Sequence, residues 1–131
     1  LQMRDGWTHL RLEIYGFNAF RSNYGFLSAD DVLGFTGTTL REGVIQYGTP
    51  EDFVGKRTET KYTVFTFSPD PAVLMKALQT TFTEGVKRFY TFSDVQQGYI
   101  VINEARDDEQ HIPLMRLGGE IVKEASPFAP R

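Results

Sequence analysis

The sequence predicts an α+β fold: an antiparallel sheet of about five to seven strands packed against one main helix, with two short helices on the connections. Three observations predict it. Residues Trp7 to Tyr15 alternate in polarity with the period of a half-buried strand. Asp70-Pro71, followed by Leu74, Leu78 and Phe82, combines a capping residue, a first-turn proline and an apolar stripe at helical spacing. Short runs rich in Thr, Val, Tyr and Phe, separated by turn residues, fill much of the rest. The size agrees: 131 residues, 40% hydrophobic and 24% charged, suit a single globular domain over residues 1–131.

The elements follow in order. In the first strand Leu10, Leu12 and Ile14 face one way, while Trp7, His9, Arg11, Glu13 and Tyr15 face the other. Residues 16–27, made of Gly, Asn, Ser and aromatics, read as a loop. Ser28 to Gly34 and Thr49 to Gly55 each carry a cap, acids, two apolar residues and a closing Gly, which predicts two short helices. A strand over 38–47 follows the first, and one over 58–67 follows the second. The main helix spans about 71–84 and closes at Gly85. Beyond it the pattern is a meander: strand 86–92, turn 93–98, strand 99–104, polar turn 106–109, and a returning strand 111–117. Pro113 assigns that last strand to an edge or bulge. Gly118-Gly119 reads as a two-residue hairpin before a strand over 120–124, and residues 126–131 as an extended tail.

Composition excludes several function classes. Cysteine is absent, which removes disulfides, thiolate metal sites and cysteine nucleophiles. The net charge is −3, and the densest basic stretch, Lys56-Arg57 with Lys61, is short, so duplex nucleic acid is not an expected partner. Asp107-Asp108-Glu109 reads as a solvated turn. No run approaches the ~20 apolar residues of a membrane span, and the first residues lack a basic-then-apolar leader; the expectation is a cytoplasmic protein without a membrane anchor. His9 and Glu13 stand roughly 13 Å apart along a strand, too far to share one ion, so no metal is expected. Gly34 to Thr39 lacks the lysine of a phosphate-binding loop, no nucleophile motif is present, and no cofactor is implied.

Two constellations remain. One is the mixed strand face, where Arg11 suits a carboxylate or phosphate, Trp7 and Tyr15 suit stacking, and His9 or Glu13 suits proton transfer. The other is the segment Tyr15, Phe17, Phe20, Arg21, Tyr24 and Phe26, whose rigid aromatics amid small polar residues have the composition of a recognition loop. With no enzyme signature, the main expectation is a non-catalytic module that binds a protein partner, its own copy included. The surface would be the aromatic-rich one at residues 7–26, using Trp7, His9, Arg11, Glu13, Tyr15, Phe17, Phe20, Arg21 and Tyr24. The alternative is a small-molecule-binding protein or enzyme with a pocket on the open face of the sheet, using His9, Arg11 and Glu13.

Overall fold

A computed structural model describes residues 6–102 and 109–122. The chain runs β1 (Thr8–Tyr15), α1 (Phe17–Tyr24), α2 (Phe26–Tyr47), β2 (Phe53–Lys56), β3 (Lys61–Thr66), α3 (Pro71–Val86), a 3₁₀ turn (Lys87–Phe89), α4 (Phe92–Gln97), β4 (Tyr99–Ile102), β5 (Gln110–Pro113) and β6 (Arg116–Val122). Four strands form the main sheet in the order β2-β3-β1-β6, all neighbours antiparallel, and β4 and β5 form a separate pair. The α+β class with antiparallel sheets is as the sequence predicts. The helical layer is larger than predicted, with two long helices instead of one.

β1 is central because both its faces are specified by alternation. Leu10, Leu12 and Ile14 are buried under the helices, with exposures of 0%, 2% and 3%. α3 starts where the sequence places it. Asp70 accepts the backbone N–H of Val73 at 3.3 Å, and Pro71 occupies the first turn. Leu74, Leu78 and Phe82 are fully buried, and Val86 extends the same stripe by one more turn. That extra turn replaces the first part of the strand predicted over 86–92. The 3₁₀ turn follows, and α4, capped by Thr91, occupies the turn predicted at 93–98.

The largest correction is α2. The strand predicted over 38–47 and the short helix over 28–34 are one continuous helix. Its buried residues, Ala29, Val32, Thr36, Thr39, Leu40 and Val44, fall at helical spacing against the core. Thr36 donates its hydroxyl to the Val32 carbonyl at 2.8 Å, so a buried polar group is satisfied within the helix. Tertiary burial overrides β-propensity here. The second predicted short helix, 49–55, is a turn leading into β2. Asp52 fixes it by accepting from the backbone N–H groups of Thr49 and Phe67 and from the hydroxyls of Thr49 and Thr66.

The loop predicted at 16–27 is also helical: it is α1 and the start of α2. Gly118-Gly119 is not a hairpin turn. Both residues lie inside β6, where Gly118 pairs with Glu13 and Gly119 with Leu12. The polar turn 106–109, the end of the strand 99–104 and the tail 126–131 fall wholly or mainly outside the described residues.

Candidate functional site

The face of the sheet opposite the helices carries the chemistry. Register places His9, Arg11, Glu13 and Tyr15 of β1 beside Lys61, Thr63 and Phe65 of β3 and beside Arg116, Gly118 and Glu120 of β6. Glu13 stands opposite Lys61 on one side, and Arg11 stands opposite Glu120 on the other. The β2–β3 hairpin turn, closed by the Arg57 N–H donating to the Lys61 carbonyl at 2.8 Å, adds Arg57 and Thr58.

The part of this face nearest the hairpin turn, without His9, Thr63, Phe65 and Arg116, lines a cleft of about 450 Å³. Arg11, Glu13, Tyr15, Arg57, Lys61 and Glu120 rim it, and Gly118 and Gly119 form part of its wall. Three cations thus face two carboxylates. Among the described residues, none of these five groups lies in an ion pair. Gly118 has a steric role. The Tyr15 ring lies across it, 1.9 Å from where a Cβ would sit, so only glycine lets the ring lie flat there. The Arg116 guanidinium covers the same ring at 4.7 Å from its centroid. Arg11 also borders a neighbouring depression with His9, Phe53, Thr63 and Phe65. There His9 stacks on Phe65 at 4.7 Å, with its Nε2 3.1 Å from the Thr63 hydroxyl.

Of the residues singled out in the sequence, His9, Arg11, Glu13 and Tyr15 share this open face. Trp7 meets this face edge-on at Phe65, 5.0 Å between ring centroids, but is buried there at 4% exposure. The others do not join them. Phe17 and Phe20 are core residues at 2% and 0% exposure. Tyr24 stacks on Phe20; its hydroxyl donates to Asp94 and accepts the Thr91 N–H at 3.0 Å. Arg21 ties α1 to the hairpin, pairing with Glu59 at 3.0 Å and bonding Asn18 at 3.0 Å. Phe17, Phe20 and Tyr24 of the aromatic segment are therefore helix packing, while Phe26 is 75% exposed. Phe17, Phe20 and Tyr24 stand at i, i+3 and i+7, the one sequence signal that would have revealed it. Arg57, Lys61, Arg116, Gly118 and Glu120 were missed as site residues. Strand pairing with distant segments brings them to β1, and no local pattern announces it.

His111 lies on β5, stacked on Tyr99, in a different sheet from His9. Among the described residues no group of three or more His, Asp or Glu side chains is placed to hold a metal ion. No helix among them is long and apolar enough to cross a membrane.

The α+β fold of this chain is shared with solved GGDEF domains. The chain is similar to the active GGEEF domain of a diguanylate cyclase from Vibrio cholerae, with a TM-score of 0.54 and 12% identity over 92% of this chain and 64% of that one. An EAL/GGDEF domain protein from M. capsulatus matches with a TM-score of 0.51 and 16% identity, over 92% of this chain and 68% of the other. The GGDEF domain of DgcB from Caulobacter crescentus, solved in complex with c-di-GMP, matches at 0.51 and 11% identity, covering 88% of this chain and 57% of its own. At these identities the likeness is one of fold. No known family matches the sequence, and no curated protein matches it significantly. Neither Gly-Gly-Asp-Glu-Phe nor Gly-Gly-Glu-Glu-Phe occurs in the chain, whose single Gly-Gly pair precedes Glu120-Ile121.

These findings correct the main functional expectation. A non-catalytic protein-binding module acting through an aromatic surface at residues 7–26 is replaced on two counts. Its central aromatics are core, and the solved domains of like fold include a diguanylate cyclase and a c-di-GMP complex.

Proposed function

We propose that this chain is a small-molecule-binding domain that takes a phosphorylated ligand of the nucleotide class on the open face of its sheet. The observation that carries this reading is the convergence of Arg11, Arg57 and Lys61, from β1 and the hairpin, on one cleft of about 450 Å³. That volume lies within the range of ordinary ligand pockets, roughly 300–1,000 Å³. Guanidinium groups bind phosphate oxygens through paired charge-assisted hydrogen bonds, and an ammonium adds a third point of attachment. Tyr15, 42% exposed, offers its exposed ring edge and hydroxyl to a ligand, its ring lying across Gly118 and under the Arg116 guanidinium. Glu13 and Glu120 are acceptors for the amino or hydroxyl donors that accompany a base and its ribose. The fold is one in which a c-di-GMP complex is known for a relative of like shape.

Isothermal titration with GTP, c-di-GMP and inorganic phosphate tests the reading. Saturable binding of at least one nucleotide is expected. It should weaken as salt rises, and by about tenfold for each of Arg11→Ala and Lys61→Ala, each of which removes one charge-assisted interaction. Absence of nucleotide binding at millimolar concentration, or binding indifferent to both substitutions, would overturn it.

A further inference from the structure

Beside the cleft, the depression that Arg11 borders has a volume of about 470 Å³ and reaches across to β2 at the sheet edge. Antiparallel register arranges it as two rows across three strands. Phe53 of β2, Phe65 of β3 and His9 of β1 form one row, and Gly55, Thr63 and Arg11 form the next. Three rings thus stand beside two small residues and a guanidinium.

The rings of this face differ in what they leave open. Phe65 is enclosed, with His9 stacked on it, Trp7 edge-on and Phe53 on its far side. Tyr15 lies under Arg116. Phe53 ends the row and is 58% exposed. Its one ring contact among the described residues is Phe65, tilted and 6.2 Å away, and no cation among them lies over it. The ring leans along β2 over Gly55, one of its carbons 2.8 Å from where a Cβ would stand, so a side chain at 55 would push the ring away. The outer face of a phenyl ring is therefore presented within the depression, which Arg11, Lys56 and Arg57 also border. Arg11 and Arg57 border the cleft as well, and Lys61 lies there beyond them.

We propose that Phe53 is the base platform of the open-face site: the heterocycle of a nucleotide stacks on the Phe53 ring, and its phosphates pass Arg11 and Arg57 toward Lys61 in the cleft. The proposal rests on the reading of the open face as a nucleotide site, and it names the residue that distinguishes a nucleotide from a bare phosphate chain. A base stacks on an aromatic side chain through its π-face, whichever base it is. Guanidinium groups hold phosphate oxygens in pairs. The apolar half of the ligand and its anionic half thus meet different side chains in two adjoining hollows that share Arg11 and Arg57.

Calorimetric titration of the full chain with GTP and with inorganic triphosphate, which has the phosphate chain without the base, is the test. The wild type should bind GTP about tenfold more tightly than triphosphate. Phe53→Ala should abolish that preference by weakening GTP about tenfold, with triphosphate affinity unchanged and the fold intact by circular dichroism. Phe53→Trp should keep the preference. The Phe53 ring protons should shift upfield with GTP and not with triphosphate, an effect of stacking that a merely structural role would not produce. Equal binding of the two ligands by the wild type, or a GTP preference that survives Phe53→Ala, would overturn the platform while leaving the open face a nucleotide site. Binding of neither ligand would overturn the open-face reading itself, and this proposal with it.

Discussion

Two glycines in α2 give a paired test of the helix that departs most from the sequence pattern. Gly34 and Gly43 lie in the same helix, and replacing either by Ala gains helix propensity, about 1 kcal/mol. Their surroundings differ. A Cβ at Gly34 meets no atom within 4 Å, while one at Gly43 would stand 2.3 Å from Leu78 Cδ2. Leu78 is fully buried in α3, so it has nowhere to retreat. Forcing a methyl into such a space costs typically 1–3 kcal/mol. Gly34→Ala should therefore stabilise by about 1 kcal/mol, and Gly43→Ala should range from near neutral to about 2 kcal/mol destabilising. The propensity gain cancels in the difference. The gap between the variants, about 1–3 kcal/mol, reads the α2–α3 packing alone and corresponds to roughly 4–12 °C in Tm. Urea and thermal unfolding by circular dichroism measure it. Equal stabilisation by both would refute the close approach of Gly43 to Leu78. Destabilisation by both would mean that the segment is not helical, as the threonine-rich pattern at 36–39 alone would have it.

Three further outcomes follow from the packing. Phe20, fully buried between Tyr24 and Tyr90, should cost about 3–5 kcal/mol when cut to Ala, and Phe17→Ser/Phe20→Ser should unfold rather than change association, as size-exclusion and dichroism would show. Tyr90 accepts the buried Met115 N–H at 2.8 Å, and its hydroxyl is pushed up to about 12, chiefly by burial. The folded state then holds its proton more tightly than the unfolded chain, so this contribution is intact below pH 10 and falls away as pH rises from about 10 to 12. Urea midpoints should drop across that window, and Tyr90→Phe, less stable at neutral pH, should show a flatter decline. Gly118→Ala should displace the exposed Tyr15 ring and weaken ligand binding in calorimetry. Its stability should change by no more than about 1 kcal/mol, since the gain in strand propensity offsets the weakened cation–π pairing of Arg116 with Tyr15.

How far the sequence reveals this molecule depends on whether a signal is local. β1 and α3 are legible because alternation, a cap and a 3-4 spacing are written within a few residues of each other. α2 is not. Its Thr and Gly residues are locally poor helix formers, and burial against α3 outweighs them, with Thr36 satisfied by the Val32 carbonyl. Gly118-Gly119 carries the composition of a turn, yet it serves a strand whose neighbours, Tyr15 and Met75, fill the space of both missing side chains. The site divides the same way. Part of it, Arg11, Glu13 and Tyr15, is visible as one strand face. Arg57 and Lys61 are visible only as a short basic run, and what makes them part of a cleft is the antiparallel register of β1 with β3. The aromatic cluster misled because its composition suits a recognition loop, whereas its spacing suits a helix.

The most direct test of the open-face cleft is chemical-shift mapping with GTP and c-di-GMP on the wild-type chain. Shifts are expected to concentrate at the amides of Arg11, Glu13, Lys61 and Gly118, and to vanish in Arg11→Ala/Lys61→Ala. Shifts confined to α1, α4 or the β4–β5 pair, or no shifts with either nucleotide, would contradict it.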